Sequence, residues 1–247
     1  MFKTDLTAIG ATLPVKVADN INAHTVSVEL TSTGTTKITA ATVILQGGNI
    51  NTKTCVNTSP TLAVGSTAQR IGVTLYYYML NGTNYSAATD ATGTVITDVK
   101  GTAITAAITG STYGGVVCCV NSAGALRCIT PDYGLTTTQA YASAALCNAA
   151  LDAVIVPSGF CYIGKVVITA AGGGFTFGTT ALTGVATFYD AVCPYENLDT
   201  YALGATAITN QRDSFDVVNK HRKYMRLYLS ALTGAGTVTL KYEPRRN

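Results

Sequence analysis

Near the amino end, Val26, Val28 and Leu30 alternate with Thr25, Ser27 and Glu29. A period of two places one face of a strand in a core and the other in water. Similar runs at 13–17 and 38–45 flank it, set apart by turns that carry Asn or Gly. The carboxyl end repeats the design: Met225, Leu227 and Leu229 alternate with Arg226, Tyr228 and Ser230. The turn Thr233-Gly234-Ala235-Gly236 then leads into Val238, Leu240 and Tyr242, alternating with Thr239 and Lys241. The two ends read as related hairpins, each with an uncovered apolar face. An isolated sheet of two or three strands is marginal in water, so the ends are expected to cover each other. The predicted fold is mainly β: a β-sandwich (jelly-roll-like) formed by both chain ends, residues 1–58 plus 196–247, into which 59–195 is inserted.

The insert reads as a second β-rich domain carrying one short helix. Asn81-Gly82 is a hairpin signal between a strand over 71–80 and Thr83-Asn84-Tyr85. Asn121-Ser122-Ala123-Gly124 and Gly172-Gly173-Gly174 predict two more hairpins, joining 114–120 to 125–130 and 160–170 to 175–177. The helix is expected near 138–151, capped by Thr138, with Pro157 marking the exit.

Composition narrows the class. Of 247 residues only 12% are charged and 47% are hydrophobic, including 14 Tyr, which disfavours disorder and suggests that partners cover much of the surface. No uninterrupted apolar run approaches the length of a membrane span. The first residues lack a basic and then apolar leader, so folding is expected in a host cytoplasm, where the sequons at Asn57, Asn81 and Asn84 carry no consequence. Seven cysteines, an odd number with no C-x-x-C pair, are expected to be buried thiols. Cys118 and Cys119 are adjacent on a strand and point to opposite faces, so they are not a metal pair.

Catalytic chemistry finds little material, and no enzyme activity or cofactor is expected. Gly159 to Lys165 has the spacing of a phosphate loop, but Val166 stands where Ser or Thr is needed and Phe160, Tyr162 and Ile163 are strand formers. Lys165 is expected to face solvent. His24 and His221 have no ligand-spaced partners, and Gly110 to Gly114 has Thr112 where a nucleophile elbow needs Ser. Asp190, Glu196 and Asp199 do not match a calcium loop. One charge cluster remains: Lys220, Arg222, Lys223 and Arg226, with Arg245 and Arg246 at the tail. It reads as a solvated strand edge, as a docking patch for an acidic protein neighbour, or as a contact to DNA. A net charge of +3 makes direct nucleic-acid contact the weakest of the three.

Two stretches carry a resemblance. The first is the Ala-rich segment from Ala140, followed by Asp152-Ala153-Val154-Ile155-Val156-Pro157, Ile163-Gly164-Lys165-Val166, Phe175-Thr176-Phe177-Gly178 and Thr187-Phe188-Tyr189-Asp190. The second is Tyr224-Met225-Arg226-Leu227-Tyr228-Leu229 with Thr237-Val238-Thr239-Leu240. Together they resemble bacteriophage virion structural proteins of the capsid-decorating, head-associated β-sandwich type. The resemblance implies a non-enzymatic capsid decoration or vertex protein located in the virion. Its partners would be capsid or other virion proteins, and it would form a homo-oligomer; the concentration of charge at the carboxyl end makes Lys220, Arg222, Lys223, Arg245 and Arg246 the expected partner-binding residues. The alternative is a tail-fibre or adhesin module that binds a host-surface glycan through stacking aromatics.

Overall fold

The computed structural model describes residues 2–16, 23–33, 35–208, 210–218 and 222–245. It is mainly β, with one helix among the described residues. The chain divides into two compact units, Met1–Lys53 with Pro194–Asn247, and Thr54–Cys193. The sequence reading set these junctions at 58/59 and 195/196.

The first unit begins with β1 (Phe2–Leu6), β2 (Gly10–Ala11), β3 (Val15–Lys16), β4 (Ala23–Ser32) and β5 (Ile38–Gly48). The second holds β6 (Cys55–Val56), β7 (Leu62–Val64), β8 (Ile71–Val73), β9 (Tyr76–Leu80), β10 (Thr83–Ala87), β11 (Asp90–Thr94), β12 (Ala107–Ile108), β13 (Tyr113–Val120) and β14 (Leu126–Ile129). It continues with α1 (Ala144–Asp152), β15 (Cys161–Thr169), β16 (Phe175–Thr176) and β17 (Ala186–Asp190). The chain then returns to the first unit with β18 (Glu196–Ile208), β19 (Asn210–Val218), β20 (Tyr224–Thr233) and β21 (Gly236–Arg245).

The first unit has two antiparallel sheets, in the orders β1-β21-β4-β19 and β18-β5-β20-β2, with β3 also on β20. β2 and β3 are halves of one edge strand. Between them Thr12 still donates its N–H to Leu227 O at 2.8 Å and accepts from Leu227 N on its hydroxyl at 3.0 Å. Pro14 has no N–H to give, which an edge tolerates. Val26, Val28, Leu30, Val238 and Leu240 of one sheet share a core with Ala41, Val43, Leu45, Met225, Leu227 and Leu229 of the other. The unit is a β-sandwich.

The expected terminal hairpins are corrected by this topology. β4 pairs with β21 and β19, whereas β5 pairs with β20 and β18. The turns after β4 and β20 therefore cross from one sheet to the other. A hairpin would have left both alternating faces on the same side of one sheet; crossing lets them bury each other. The crossings touch: Ala235 N donates to Thr36 O at 3.2 Å, and Gly234, at φ +101, has Lys37 O where a Cβ would stand. β5 and β18 are direct antiparallel neighbours, with Gly47 opposite Glu196. The second unit therefore occupies the place of one hairpin turn.

In the second unit the central strands of the sheet β14-β13-β15-β17, β13 and β15, are buried on both faces, whereas β17 is largely exposed. Val116, Cys118 and Val120 enter a core with Leu62, Ile71, Tyr78, Ile104 and Phe177. Val117 and Cys119 point the other way, into a cluster with Cys147 and Leu151 of α1. Gly115 lets the helix close on this sheet, because a Cβ there would lie 2.9 Å from Leu151 Cδ1 and collide with Val166 O. The helix starts at Ala144 under an Ser143 cap instead of near 138. Gln139 is bound elsewhere: its side chain accepts from Gly115 N at 2.6 Å and donates to Gly115 O at 3.1 Å, and its backbone bridges Ile108. Asn81 and Gly82 have φ of 52° and 86°, the conformation of the hairpin turn expected there. The third expected hairpin is not formed. β15 pairs with β13 and β17, while β16 pairs with β12.

Candidate functional site

The basic segment does not assemble as one patch. Lys220 and Arg246 lie outside the described residues, as does the side chain of Arg245. Arg222 is half-buried and donates from Nε to Glu196 Oε1 at 2.9 Å, whereas Lys223 is exposed. Arg226, grouped with them by sequence, is 2% exposed. It donates from Nε to Gln46 Oε1 at 2.8 Å and lies 4.1 Å from the centroid of the Tyr195 ring. Gln46 in turn donates to Asn197 Oδ1 at 2.9 Å. Tyr195, also buried, accepts from Thr52 N at 3.2 Å and donates to Ile50 O at 3.0 Å. Arg226 is thus a structural cation, holding the chain on either side of the insertion point against the outer face of β5 and β20. The face of β20 expected in water is covered, and Met225 through Leu229 are all buried.

Lys165 is corrected in the same way. It is 8% exposed and pairs with Asp152 Oδ1 at 2.7 Å, its ammonium 5.5 Å from the Tyr189 ring centroid. Asp152 ends α1, where a cation also meets the negative end of the helix dipole. The phosphate-loop spacing is therefore occupied by a regular strand and a committed lysine. Asp190 is committed too, accepting from Leu62 N at 2.8 Å. Asp199 accepts from Thr200 N at 2.8 Å. No group of three His, Cys, Asp or Glu among the described residues has metal-holding geometry. No helix among them is long and apolar enough to cross a membrane.

None of the seven cysteines is in a disulfide, and six of them are buried. Burial pushes the Cys147 thiol up to about 11, with Lys165 pulling it back, and the Cys161 thiol up to about 12. These are resting thiols rather than nucleophiles.

Among the described residues, one feature shaped to receive a ligand is a half-open pocket of about 220 Å³ in the second unit, which no single sequence motif marked. Ile104, Leu135 and Pro157 give it apolar walls; Asp98, Lys100, Thr130 and Tyr133 supply polar groups. Asp98 Oδ1 holds the loop by accepting from Lys100 N at 3.0 Å and Thr102 N at 2.7 Å. Tyr133 sits at φ +58, a conformation a bulky side chain adopts only when its surroundings impose it. What imposes it is a double anchor: the phenol donates to Ile155 O at 3.1 Å and accepts from Ile155 N at 3.0 Å. The ring stays 56% exposed at the pocket rim. A carboxylate, an ammonium group, a hydroxyl and an aromatic ring around a space of this size suit a small polyhydroxylated ligand.

Comparison of the chain with family models, with curated proteins and with solved structures finds no match.

Proposed function

We propose that the chain is a non-enzymatic virion structural protein, a capsid decoration or vertex protein that binds the shell through its sandwich and presents the inserted unit. The observation that carries this reading is the wiring of the first unit. With β2 and β3 counted as one, its eight strands run 1-8-3-6 in one sheet and 5-4-7-2 in the other. That order supports reading the sandwich as a jelly roll, an architecture of viral capsid and lectin domains. The warrant is a fold-level analogy joined to the sequence resemblance, since fold and activity are separable. The insertion at one hairpin supports it further: a second unit is added without breaking the sandwich ladder. Electron microscopy of intact particles tests the reading, which expects density for this chain on the shell.

A second reading, recognition of a host-surface glycan by the inserted unit, is favoured by the Tyr133 pocket. Titration of the full chain with methyl hexopyranosides, followed by NMR, tests it. Shifts confined to Asp98, Lys100, Thr130 and Tyr133, abolished in Tyr133→Ala, are expected. Absence of saturable shifts across gluco, galacto and manno forms would end it.

A further inference from the structure

Cys118 and Cys128 form a paired site within the buried thiols. They face each other directly across β13 and β14, with Sγ atoms 4.0 Å apart. Cys128 N donates away from β13, to Thr97 O at 2.7 Å. The two residues are therefore a non-hydrogen-bonded pair, the register in which opposing antiparallel residues come closest, about 4.5 Å between Cα atoms. That separation falls at the short end of the range a disulfide spans, about 4.4–6.8 Å. Rotation about the Cα–Cβ bonds then suffices to join the sulfurs without moving the strands. Cys119 is excluded although it is adjacent, because it points into the helix-covered core. Cys161 lies on β15 opposite Val120, a different rung. Cys128 borders the Tyr133 pocket, so a small oxidant has a short route to this rung.

We infer that Cys118 and Cys128 are an oxidation site that closes to a cross-strand disulfide when a peroxide reaches it. In the first step the Cys128 thiolate attacks one peroxide oxygen and the O–O bond breaks. This leaves a sulfenic acid on Cys128 and a hydroxide that takes up the thiol proton as water. In the second step the Cys118 thiol attacks that sulfur, the S–O bond breaks, and the hydroxyl leaves as water with the Cys118 proton. Two thiols and one hydrogen peroxide give one disulfide and two waters, with two electrons passing from sulfur to oxygen. The hydrogen bond with Cys128, with burial behind it, raises the Cys118 pKa well above that of a free thiol and makes the reaction slow in the closed state. The disulfide, once formed, is reduced again by excess dithiol through thiol–disulfide exchange. This inference is independent of the proposed function, since it concerns only the second unit's hairpin.

The experiment treats the purified full chain with hydrogen peroxide and counts thiols after denaturation without reductant, alongside the intact mass. The expected result is a fall from seven thiols to five with loss of two hydrogens, reversed by dithiothreitol. Trypsin should give a linked pair of peptides, 101–127 with 128–165, and tandem fragmentation should place the bond at 118 and 128. Cys118→Val and Cys128→Val, which keep the core filled, should each abolish the link, while Cys119→Val keeps it. Three results would each overturn the inference: seven thiols surviving, oxygen added without hydrogen loss, or a link that persists in Cys118→Val. A far-UV spectrum and urea midpoint for each variant identify a misfolded one. If both valine variants misfold, the fragmentation of the wild-type link decides alone.

Discussion

Truncating Arg226 tests whether the fold at the insertion point rests on a buried cation. In Arg226→Ala the Gln46 carbonyl loses its 2.8 Å donor and the Tyr195 ring loses a guanidinium 4.1 Å away. A hydrogen bond to a charged group contributes about 1.5–3 kcal/mol, and a desolvated cation over an aromatic ring about 2 kcal/mol. The aliphatic stem, in a residue only 2% exposed, leaves a cavity as well. Allowing for partial relaxation, the loss should be about 3–5 kcal/mol, in line with breaking other buried charged networks. With a urea slope of about 2 kcal/mol per molar, the midpoint of the first unit should drop by roughly 1.5–2.5 M. Arg226→Lys should retain about half, since an ammonium keeps the charge but not the planar stack. The assay is urea unfolding followed by circular dichroism, with amide exchange on β5, β18 and β20 locating the effect. A change within about 0.5 kcal/mol, the size typical of exposed positions, would refute the burial argument and return Arg226 to the surface cluster.

Other outcomes follow from the same geometry. Lys165→Met should cost no more than about 1 kcal/mol, because its partner Asp152 is largely solvated, whereas Lys165→Glu should cost over about 3 kcal/mol by burying a carboxylate beside that of Asp152; equal urea midpoints for the two would contradict the ion pair. Stability should fall in alkali. Unfolded thiols ionise from about pH 9, while folded Cys147 holds its proton to about 11, so in that window Cys147 alone lowers stability by about 1.4 kcal/mol per pH unit, a slope to which Cys161 adds and which Cys147→Val should lessen. Below the unfolded value this contribution is constant, and midpoints measured on either side of it check the sign. Gly115→Ala should destabilise the second unit by several kcal/mol through its collision with Val166 O, read by loss of exchange protection in α1 and β13. Replacing 54–193 by a short Gly-containing turn should leave the sandwich folded, because β5 and β18 already pair as a hairpin; an unfolded product by circular dichroism would refute the insertion account.

Local chemistry was legible where one residue decides a conformation. Asn81-Gly82 announced a turn that needs positive φ twice, and the alternation at Val26, Val28 and Leu30 announced a half-buried strand. The choice of pairing partner was not legible, because a period of two names the buried face and not the strand beside it. That is why β4 and β5 read as one sheet and belong to two. Thr138 and Ser143 are both competent caps, and the helix start was settled by Gln139 bonding Gly115, a tertiary contact. Lys165 and Arg226 were assigned to water by charge alone, and their partners Asp152, Gln46 and Tyr195 lie far away in sequence. The pocket was invisible for the same reason, since its walls come from 98–104, 128–135 and 157. The Cys118–Cys128 rung did leave a signal: each residue lies three positions from an end of the Asn121–Ala125 turn, which sets the register of the hairpin.

The central claim, that this chain is a shell-bound virion structural protein, is tested most directly by electron cryo-microscopy of intact particles purified from the source of the sequence. The account predicts density into which the eight-stranded sandwich fits, in contact with the shell and repeated by the particle's symmetry. Particles whose density and peptide content both lack this chain would contradict it.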